Sequence, residues 1–517
     1  MTVLSQLLWT VIFLKQKNNE NVMNMKLVCS DNISKYYLQS LCLLYFPGSK
    51  FSESEEVTDE TPVVTVNLTE TDGGATAHAE IKIGEQRASA DVTEKYKTSK
   101  TAIKVQKIAV GKAVFAAGEQ FFGYTPAWGI LTGIRPSKIA RQIYAQTGDA
   151  AKTRKILRDE YFLYPKKASI LTSITINEQK IIDRLEKNSC SLYISIPFCP
   201  TRCAYCSFVS FATKRLLSMI PDYVERLLRD LDVVFAQIKK HNLNLKTIYI
   251  GGGTPTTLTA DELSLIFDKI CEYIDPFSLD EFSLEAGRPD TITSEKLAVA
   301  VANGVTRISI NPQTLNEDVL REIGRFHTVD DFYKSFEIAR ASGIKNINTD
   351  LIVGLPGDSH RSFVKTMDNI VKLAPDNITV HTFCVKKAAD LAHSDGIYTS
   401  AGGDVQKSVD YSQLRAKSNG YIPYYLYRQK NSVSNLENVG FAKPGTEGLY
   451  NIYIMEEVHH IFAVGAGAVT KLVDRDNNRM LRIFMDKYPY EYLSEDGEEK
   501  FRLEYNQKVD AFFSENQ

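Results

Sequence analysis

From residue 191 onward, short apolar runs alternate along the chain with longer stretches in which apolar residues recur at helical spacing. The short runs are rich in β-branched residues, which is the pattern of buried strands. They cover residues 191–197, 246–251, 281–286, 306–311, 346–353 and 377–383. Six strand–helix units in series predict a parallel sheet with right-handed crossovers. Because a closed barrel of this kind has eight units, six units predict an α/β fold built on a partial, open barrel.

The rest of the pattern divides the chain further. Residues 25–125 predict a small α+β domain, with strands over 63–68 and 77–83 joined by the turn Asp72-Gly73-Gly74. A strand-like pattern begins only at Met25, which is therefore an alternative start of translation. The five predicted segments are a possible appendage (1–24), the α+β domain (25–125), a helical linker region (126–190), the partial barrel (191–384) and a C-terminal α+β cap over the barrel mouth (385–517).

Composition narrows the class of protein. The chain has 61 basic and 63 acidic residues and a net charge of −2, so it lacks the basic excess of a protein that binds nucleic acid. Residues 3–14 are apolar but too short to span a membrane, and no basic stretch precedes them as in a signal peptide. Of eight cysteines three are clustered and five scattered, which is typical of a reducing compartment. We therefore expect a cytoplasmic protein with no integral membrane segment.

Cys199, Cys203 and Cys206 follow the first predicted strand of the barrel at the spacing C-x3-C-x2-C. Three closely spaced thiolates can hold three irons of a [4Fe–4S] cluster and leave the fourth iron open to a ligand that is not protein. A structural zinc site would require a fourth ligand, and a disulfide would leave one thiol over. Cys190 precedes the strand and should lie at its opposite end. The triplet alone favours the cluster without excluding these alternatives.

Polar residues and glycines stand at the ends of the later strands as well. The second strand ends in Gly251-Gly252-Gly253-Thr254, whose glycines allow backbone groups to approach a ligand closely. Glu285, Gln313, Asp350 and His381 stand at the ends of the strands that follow. Each residue alone could cap a helix or belong to a turn. Their shared position at the carboxyl ends of parallel strands predicts a cofactor site.

Taken together, these stretches resemble the oxygen-independent coproporphyrinogen III oxidase (dehydrogenase) family of radical S-adenosylmethionine (SAM) proteins. The resemblance covers residues 125–490 and is carried by the strand before Cys199, the cysteine triplet, the triple glycine, Gly324-Arg325-Phe326-His327-Thr328, and Asp350-Leu351-Ile352-Val353-Gly354-Leu355-Pro356. Three further stretches are similar to the HemZ-type branch, and they begin at Trp128, Glu285 and Tyr424.

This resemblance implies a [4Fe–4S] cluster held by Cys199, Cys203 and Cys206, and SAM bound at its open iron. The implied SAM-binding residues are Tyr193, Tyr205, Gly252, Gly253, Thr254, Glu285, Gln313, Arg325 and Asp350. Glu285 would satisfy the ammonium group of SAM, Arg325 its carboxylate, and Asp350 the ribose hydroxyls.

The implied reaction is the decarboxylation of two propionates, which converts coproporphyrinogen III to protoporphyrinogen IX in anaerobic porphyrin and heme biosynthesis. The partners would then be a tetrapyrrole substrate and an unidentified electron donor. Arg288, Lys386, Lys387 and Arg428 are candidates to bind the propionates.

The chain departs from the family pattern in two places. The established decarboxylases carry a further cysteine after the triplet, where this chain has Ser207-Phe208. Related heme chaperones also lack that cysteine. The chaperones carry a His-Asn pair where this chain has Tyr450-Asn451, although His459-His460 nearby could ligate heme iron. A heme-binding chaperone and a radical SAM enzyme acting on another tetrapyrrole therefore remain alternatives.

Overall fold

The computed structural model describes residues 24–52, 58–96, 100–206, 210–384, 402–429, 432–477 and 479–515. Nearly all of the predicted appendage, Ser207-Phe208 and the candidate propionate ligands Lys386 and Lys387 lie outside these residues. The chain forms two compact units, one extending to Thr175 and including Arg428, the other beginning at Ile176. The five predicted segment boundaries stay predictions.

The first unit contains a mixed sheet and four helices, and a fifth helix begins in it. Its elements are β1 (Asn24–Cys29), α1 (Lys35–Cys42), β2 (Lys50–Ser52), β3 (Val63–Thr71), β4 (Gly74–Ile83), β5 (Gln86–Lys95), α2 (Ala102–Phe122), α3 (Pro136–Thr147), α4 (Ala150–Asp159) and α5 (Pro165–Ile182). The sheet has the order β2-β1-β3-β4-β5, and α2 packs across β4 and β5. The predicted hairpin is confirmed, because β3 and β4 pair antiparallel with Thr71 opposite Gly74.

The turn before α3 is built around Trp128, which is fully buried. Gly129 follows with φ of +53°, and a Cβ there would meet the carbonyl oxygen of Tyr161 at 1.9 Å. Only glycine fits this position. Arg428 lies over the Trp128 ring, 5.3 Å from its centroid, and donates a hydrogen bond to the carbonyl of Leu131. Trp128 and Gly129 are thus required at this turn by the packing around them.

The second unit is organised around one large sheet. Its strands are β6 (Ser189–Ile196), β7 (Asn244–Gly252), β8 (Glu281–Glu285), β9 (Arg307–Ser309), β10 (Asn346–Val353), β11 (Asn377–Thr382), β12 (Ile422–Arg428), β13 (Glu437–Ala442), β14 (His460–Val464), β15 (Val469–Asp474) and β16 (Arg479–Phe484). Its helices are α6 (Lys214–Leu217), α7 (Ile220–Lys240), α8 (Ala260–Cys271), α9 (Ser294–Ala302), α10 (Glu317–Glu322), α11 (Val329–Ala341), α12 (His360–Leu373), α13 (Gly402–Ser418), α14 (Leu449–Glu456), α15 (Pro489–Tyr492) and α16 (Glu495–Ser514).

Strands β6 to β11 are parallel neighbours in chain order, and helices connect them. The predicted six-unit partial barrel of an α/β fold is confirmed, and each predicted strand overlaps one of these six. The strands are buried on both faces, as parallel sheets require. Helices α8 and α11 both begin with capping boxes, at Thr259 and Thr328.

The C-terminal segment extends this sheet at both edges. Strand β13 pairs antiparallel with β11, while β14 pairs parallel with β6. Beside β6, Ser195 donates a hydrogen bond to the carbonyl of Ala466 at 2.9 Å, and Tyr223 bridges the Ser195 carbonyl and the Ala466 N–H at 2.8 Å each. The segment predicted to cap the barrel therefore also supports the strand that leads into the cysteine loop.

The inner face of the barrel is polar at the amino ends of the strands. Glu281 and Arg307 form a buried ion pair there, with Nε 3.1 Å from Oε2. Glu281 also accepts hydrogen bonds from the N–H groups of Leu449 and Tyr450, at 2.9 and 3.2 Å. This carboxylate therefore fixes the start of α14 inside the barrel.

Candidate active site at the carboxyl ends of the strands

All three clustered cysteines lie on the loop that follows β6, and none of the three forms a disulfide. Cys203 is buried, and Cys199 and Cys206 are partly buried. Burial raises the pKa of Cys199 to about 11, although a hydrogen bond with Thr254, 3.4 Å away, acts against it. Buried thiols of this kind become thiolates only beside strong positive charge, which iron would supply. Cys190 is fully buried at the opposite end of β6, as predicted.

Backbone hydrogen bonds hold the cysteine loop against its neighbours. The N–H of Cys199 donates to Phe211 at 3.0 Å, and the N–H of Phe211 donates to Pro197 at 2.8 Å. The N–H of Ala204 donates to the carbonyl of Ile323 at 3.0 Å, close to Arg325 in the chain. The loop is thus anchored on both sides of its buried central thiol.

The triple glycine after β7 lies directly against this loop. The N–H of Gly253 donates to the carbonyl of Ile196 at 2.8 Å, and that of Thr254 donates to Phe198 at 2.7 Å. A Cβ on Gly253 would meet the carbonyl of Phe198 at 2.6 Å and Sγ of Cys199 at 3.0 Å. Glycine at this position is required for the close approach of two backbones.

Glu285 ends β8 next to the same turn. Its carboxylate accepts a hydrogen bond from the Tyr249 hydroxyl and a second from the N–H of Gly252 at 3.3 Å. Burial raises the pKa of Glu285 to about 7, and Asp350 adds to the rise, while the Tyr249 hydrogen bond opposes it. This carboxyl group is therefore poised to change charge near neutral pH.

Asp350 faces the barrel from β10. It accepts a hydrogen bond from Nδ2 of Asn348 at 2.8 Å and lies 3.6 Å from Nε2 of His381. Burial alone would raise the pKa of Asp350, but the nearby ring of His381 and hydrogen bonds with Asn348 and Thr379 outweigh it and leave the pKa below its ordinary value. Asp350 thus stays an acceptor at the pH where Glu285 titrates.

Gln313 and Arg325 carry buried polar atoms that have no hydrogen-bond partner, Oε1 of Gln313 and Nε of Arg325. Gln313 has a left-handed backbone, with φ of +67°, and its N–H donates to the carbonyl of Asp350 at 3.1 Å. The guanidinium of Arg325 donates to the carbonyls of Asn311 and of Gly287, the latter at 3.1 Å. Buried polar atoms in a folded protein are nearly always hydrogen-bonded, so these two atoms are open to a water, an ion or a ligand.

Comparison with known proteins agrees with this geometry. The model of the radical SAM superfamily matches residues 193–370. A protein of Bacillus subtilis named oxygen-independent coproporphyrinogen-III oxidase-like protein HemZ is 36% identical over 88% of this chain and 92% of its own. This chain belongs to the oxygen-independent coproporphyrinogen III oxidase-like family of radical SAM proteins. The predicted family and its cofactors, a [4Fe–4S] cluster and SAM, are confirmed at the level of that family.

The chain is also similar to a heme chaperone and to a solved structure. The heme chaperone HemW of Bacillus subtilis is 31% identical over 54% of this chain and 70% of its own. The solved structure of coproporphyrinogen III oxidase (HemN) from Escherichia coli, a radical SAM enzyme, is 21% identical, with a TM-score of 0.49 over 63% of this chain and 72% of that chain. Within the described residues of this radical SAM protein, no helix is both long and apolar enough to cross a membrane.

In this radical SAM protein the residues present fit both cofactors. The cysteine loop offers three thiols, and the glycine turn beside Cys199 offers close backbone contact. Four polar side chains lie at the same ends of the strands. Glu285 has a pKa near neutral, and Asp350 has a pKa below its ordinary value and is ionised. Gln313 and Arg325 each carry one buried polar atom without a hydrogen-bond partner. Which of these residues hold SAM stays a prediction.

Tyrosines form a stack that the sequence did not reveal. The rings of Tyr193, Tyr249 and Tyr450 are nearly parallel, and the centroids of Tyr249 and Tyr450 lie 4.5 Å apart. Tyr193 and Tyr249 are register partners on β6 and β7. Tyr205, on the cysteine loop, has a pKa raised by burial, against the influence of Arg325. The sequence signal for the stack was Tyr249, which stands two residues before Gly251 on the predicted strand next to that of Tyr193.

Three groups that the sequence offered as ligands of heme iron or of a propionate make other contacts in the structure. His459 and His460 are buried at the amino end of β14, with Nε2 of His459 2.8 Å from the hydroxyl of Ser191. Burial lowers the pKa of His459 to about 3 and that of His460 to about 4. Arg428 is buried in the first unit, as described above. Arg288 is also buried, and its contacts are with the cysteine loop.

Proposed function

We propose that this chain is a radical SAM enzyme that oxidatively decarboxylates two propionate side chains of coproporphyrinogen III to give protoporphyrinogen IX. The observation that carries the proposal is the convergence of the cysteine loop, the glycine turn and the groups of Glu285, Gln313 and Arg325 at one edge of the sheet. The choice of substrate is supported by the similarity to the HemZ protein along nearly the whole chain.

Cys199, Cys203 and Cys206 would hold the cluster, and SAM bound to it supplies a 5′-deoxyadenosyl radical when one electron is delivered. The carboxylate of Glu285 would pair with the ammonium of SAM, and the guanidinium of Arg325 with its carboxylate. Asp350 would accept hydrogen bonds from the ribose, since its low pKa keeps it ionised. Tyr193, Tyr205, Gln313, Thr254 and the backbone of Gly252 and Gly253 would complete the pocket and exclude water.

Each decarboxylation removes one hydrogen atom from a propionate β-carbon and releases carbon dioxide, leaving a vinyl group. The hydrogen atom ends in 5′-deoxyadenosine, and one further electron passes from the substrate to a one-electron acceptor. Each of the two steps therefore consumes one SAM and one electron from a low-potential donor. A reducing cytoplasm, which the cysteine usage favours, would supply that donor.

A heme chaperone is the second candidate, because the HemW protein of Bacillus subtilis is 31% identical over 54% of the chain. The described residues favour the enzyme. By the family resemblance, Tyr450 takes the place of a histidine of the chaperones, and its buried ring is stacked on Tyr249. His459 is buried and bonded to Ser191 at the opposite end of the strands from the cysteine loop.

The deciding experiment uses the full chain, reconstituted anaerobically with iron and sulfide, and adds dithionite, SAM, coproporphyrinogen III and a one-electron acceptor. Chromatography should detect protoporphyrinogen and 5′-deoxyadenosine in a ratio of about one to two, since each product molecule needs two hydrogen abstractions. Formation of 5′-deoxyadenosine without porphyrin product would point to another tetrapyrrole substrate. Tight heme binding with neither product would reject the enzyme in favour of the chaperone.

A further inference from the structure

Arg288 lies on the turn that follows β8 and is 2% exposed. One edge of its guanidinium forms a two-point ion pair with Asp290, with both N–O distances 3.1 Å. The remaining nitrogen, Nη1, points to the cysteine loop. It donates to the hydroxyl of Thr201 at 2.8 Å and to the Thr201 carbonyl at 3.3 Å, and it lies 4.0 Å from Sγ of Cys203.

This geometry commits the donors of Arg288 to protein groups. All of its donors are directed either to Asp290 or to the loop between Cys199 and Cys203. Cys203 is itself 8% exposed, so its contact with a cation is poorly screened by water. The earlier expectation that Arg288 binds a propionate is therefore replaced by a contact with the central thiol of the triplet.

We propose that Arg288 is a positioning residue for the cluster, which holds the loop between Cys199 and Cys203 and raises the reduction potential of the iron–sulfur centre. The proposal rests on the cluster assignment in the proposed function but not on the tetrapyrrole substrate. Reduction adds one negative charge to the cluster, and a cation that donates to a ligand sulfur stabilises the reduced form more than the oxidised form.

Asp290 moderates this effect, because its carboxylate offsets part of the Arg288 charge from the far edge of the guanidinium. His327 is buried nearby and neither ring nitrogen has a partner. Burial, Arg325 and Arg288 lower the pKa of His327 to about 3, so the ring adds no further positive charge. Arg325 also interacts with Cys203 through its guanidinium. Because Arg325 is kept in every variant of the test, the change in charge at Cys203 is set by the Arg288–Asp290 pair.

The test is a redox titration of the reconstituted full-length protein, followed by electron paramagnetic resonance of the reduced cluster, with iron content measured in parallel. Arg288→Gln removes the charge and should shift the one-electron reduction equilibrium about tenfold toward the oxidised form, or about 59 mV to lower potential. Asp290→Asn releases the full charge of Arg288 and should shift the potential in the opposite direction. Asp290 is partly exposed, so its replacement is compatible with folding.

Arg340→Gln provides the matched control. Arg340 also pairs with one aspartate, Asp376, and one carbonyl, Ala374, but at the amino end of β11, away from the cysteine loop. It should leave the potential unchanged. Opposite shifts in Arg288→Gln and Asp290→Asn support the proposal. An unchanged potential in Arg288→Gln at full iron content, or no rise in Asp290→Asn, overturns it; if Arg288→Gln holds no cluster, Asp290→Asn alone decides.

Discussion

The hydroxyl of Tyr249 donates a hydrogen bond to the carboxylate of Glu285, at the carboxyl ends of the strands where the cysteine loop lies. Tyr249 is on β7 and Glu285 on the neighbouring β8, so the bond joins two strands of the barrel. It opposes the rise in pKa that burial imposes on Glu285. The balance of these two effects sets the charge of the group that we propose to bind the SAM ammonium.

SAM affinity should therefore increase with pH. Glu285 has a pKa of about 7, raised mainly by burial, and it is ionised above that value. Its ionised fraction rises from about one tenth at pH 6 to about nine tenths at pH 8, so Kd should fall about tenfold over this interval. Anaerobic calorimetry on the cluster-loaded protein measures this dependence. Glu285→Gln should weaken binding about 10- to 100-fold and remove the pH dependence, whereas Glu272→Gln, on an exposed helix end, should change neither.

Tyr249→Phe should move this dependence to higher pH. Removing the hydroxyl takes away a hydrogen bond that stabilises the ionised carboxylate, while the burial of Glu285 remains. The pH at which SAM affinity is half-maximal should rise above its value in the unmodified protein. The same calorimetric titration, repeated from pH 6 to pH 9, detects the change. An unshifted or lower midpoint would show that the tyrosine does not control Glu285.

Cys203→Ala should abolish the cluster. The thiol is the central one of the three predicted ligands and is buried beside Arg288, so water cannot readily replace it as a ligand of iron. Iron and acid-labile sulfide should fall from about four per chain to below one, and the brown absorption should disappear. Cys271→Ala, at an exposed cysteine on α8, should retain both. Retention of full iron by Cys203→Ala would disprove the ligand assignment.

The partial barrel could be predicted from the sequence because its strands are continuous apolar runs, and a parallel sheet fixes which ends meet. The polar residues at those ends followed from the same rule. Long-range pairing escaped prediction. The sequence around β14 does not show that this strand pairs with β6. His460 lies opposite Cys190 as a result, at the end of the sheet remote from the cysteine loop.

Individual side-chain directions were harder still. Arg288 was a candidate to bind a propionate, yet the turn directs it inward to the cysteine loop. Tyr450 was considered only for what it replaces, although its ring stacks on Tyr249. Both contacts depend on elements distant in sequence, and alternation within one strand does not encode them.

Gly253→Ala should displace the cysteine loop. Its Cβ would stand 2.6 Å from the carbonyl of Phe198 and 3.0 Å from Sγ of Cys199, and the first of these is backbone that cannot yield without moving the loop. We expect destabilisation of about 1–3 kcal/mol and a reduced iron content. Urea unfolding and iron analysis measure the two effects. Gly73→Ala, where nothing lies within 4 Å of the added carbon, should behave like the unmodified protein.

Glu281→Ala should destabilise the second unit strongly, although Glu281 is at the opposite end of the strands from the site. It would leave the buried guanidinium of Arg307 without its carboxylate, and it would remove the acceptor of the Leu449 and Tyr450 N–H groups. Breaking a buried pair by removing one partner costs about 3–5 kcal/mol. Urea unfolding followed by circular dichroism should show a loss of this size, against less than about 1 kcal/mol for Glu504→Ala, which breaks the exposed pair with Lys508. A loss of similar size in both variants would mean that the Glu281–Arg307 pair is screened by water and does not fix α14 in the barrel.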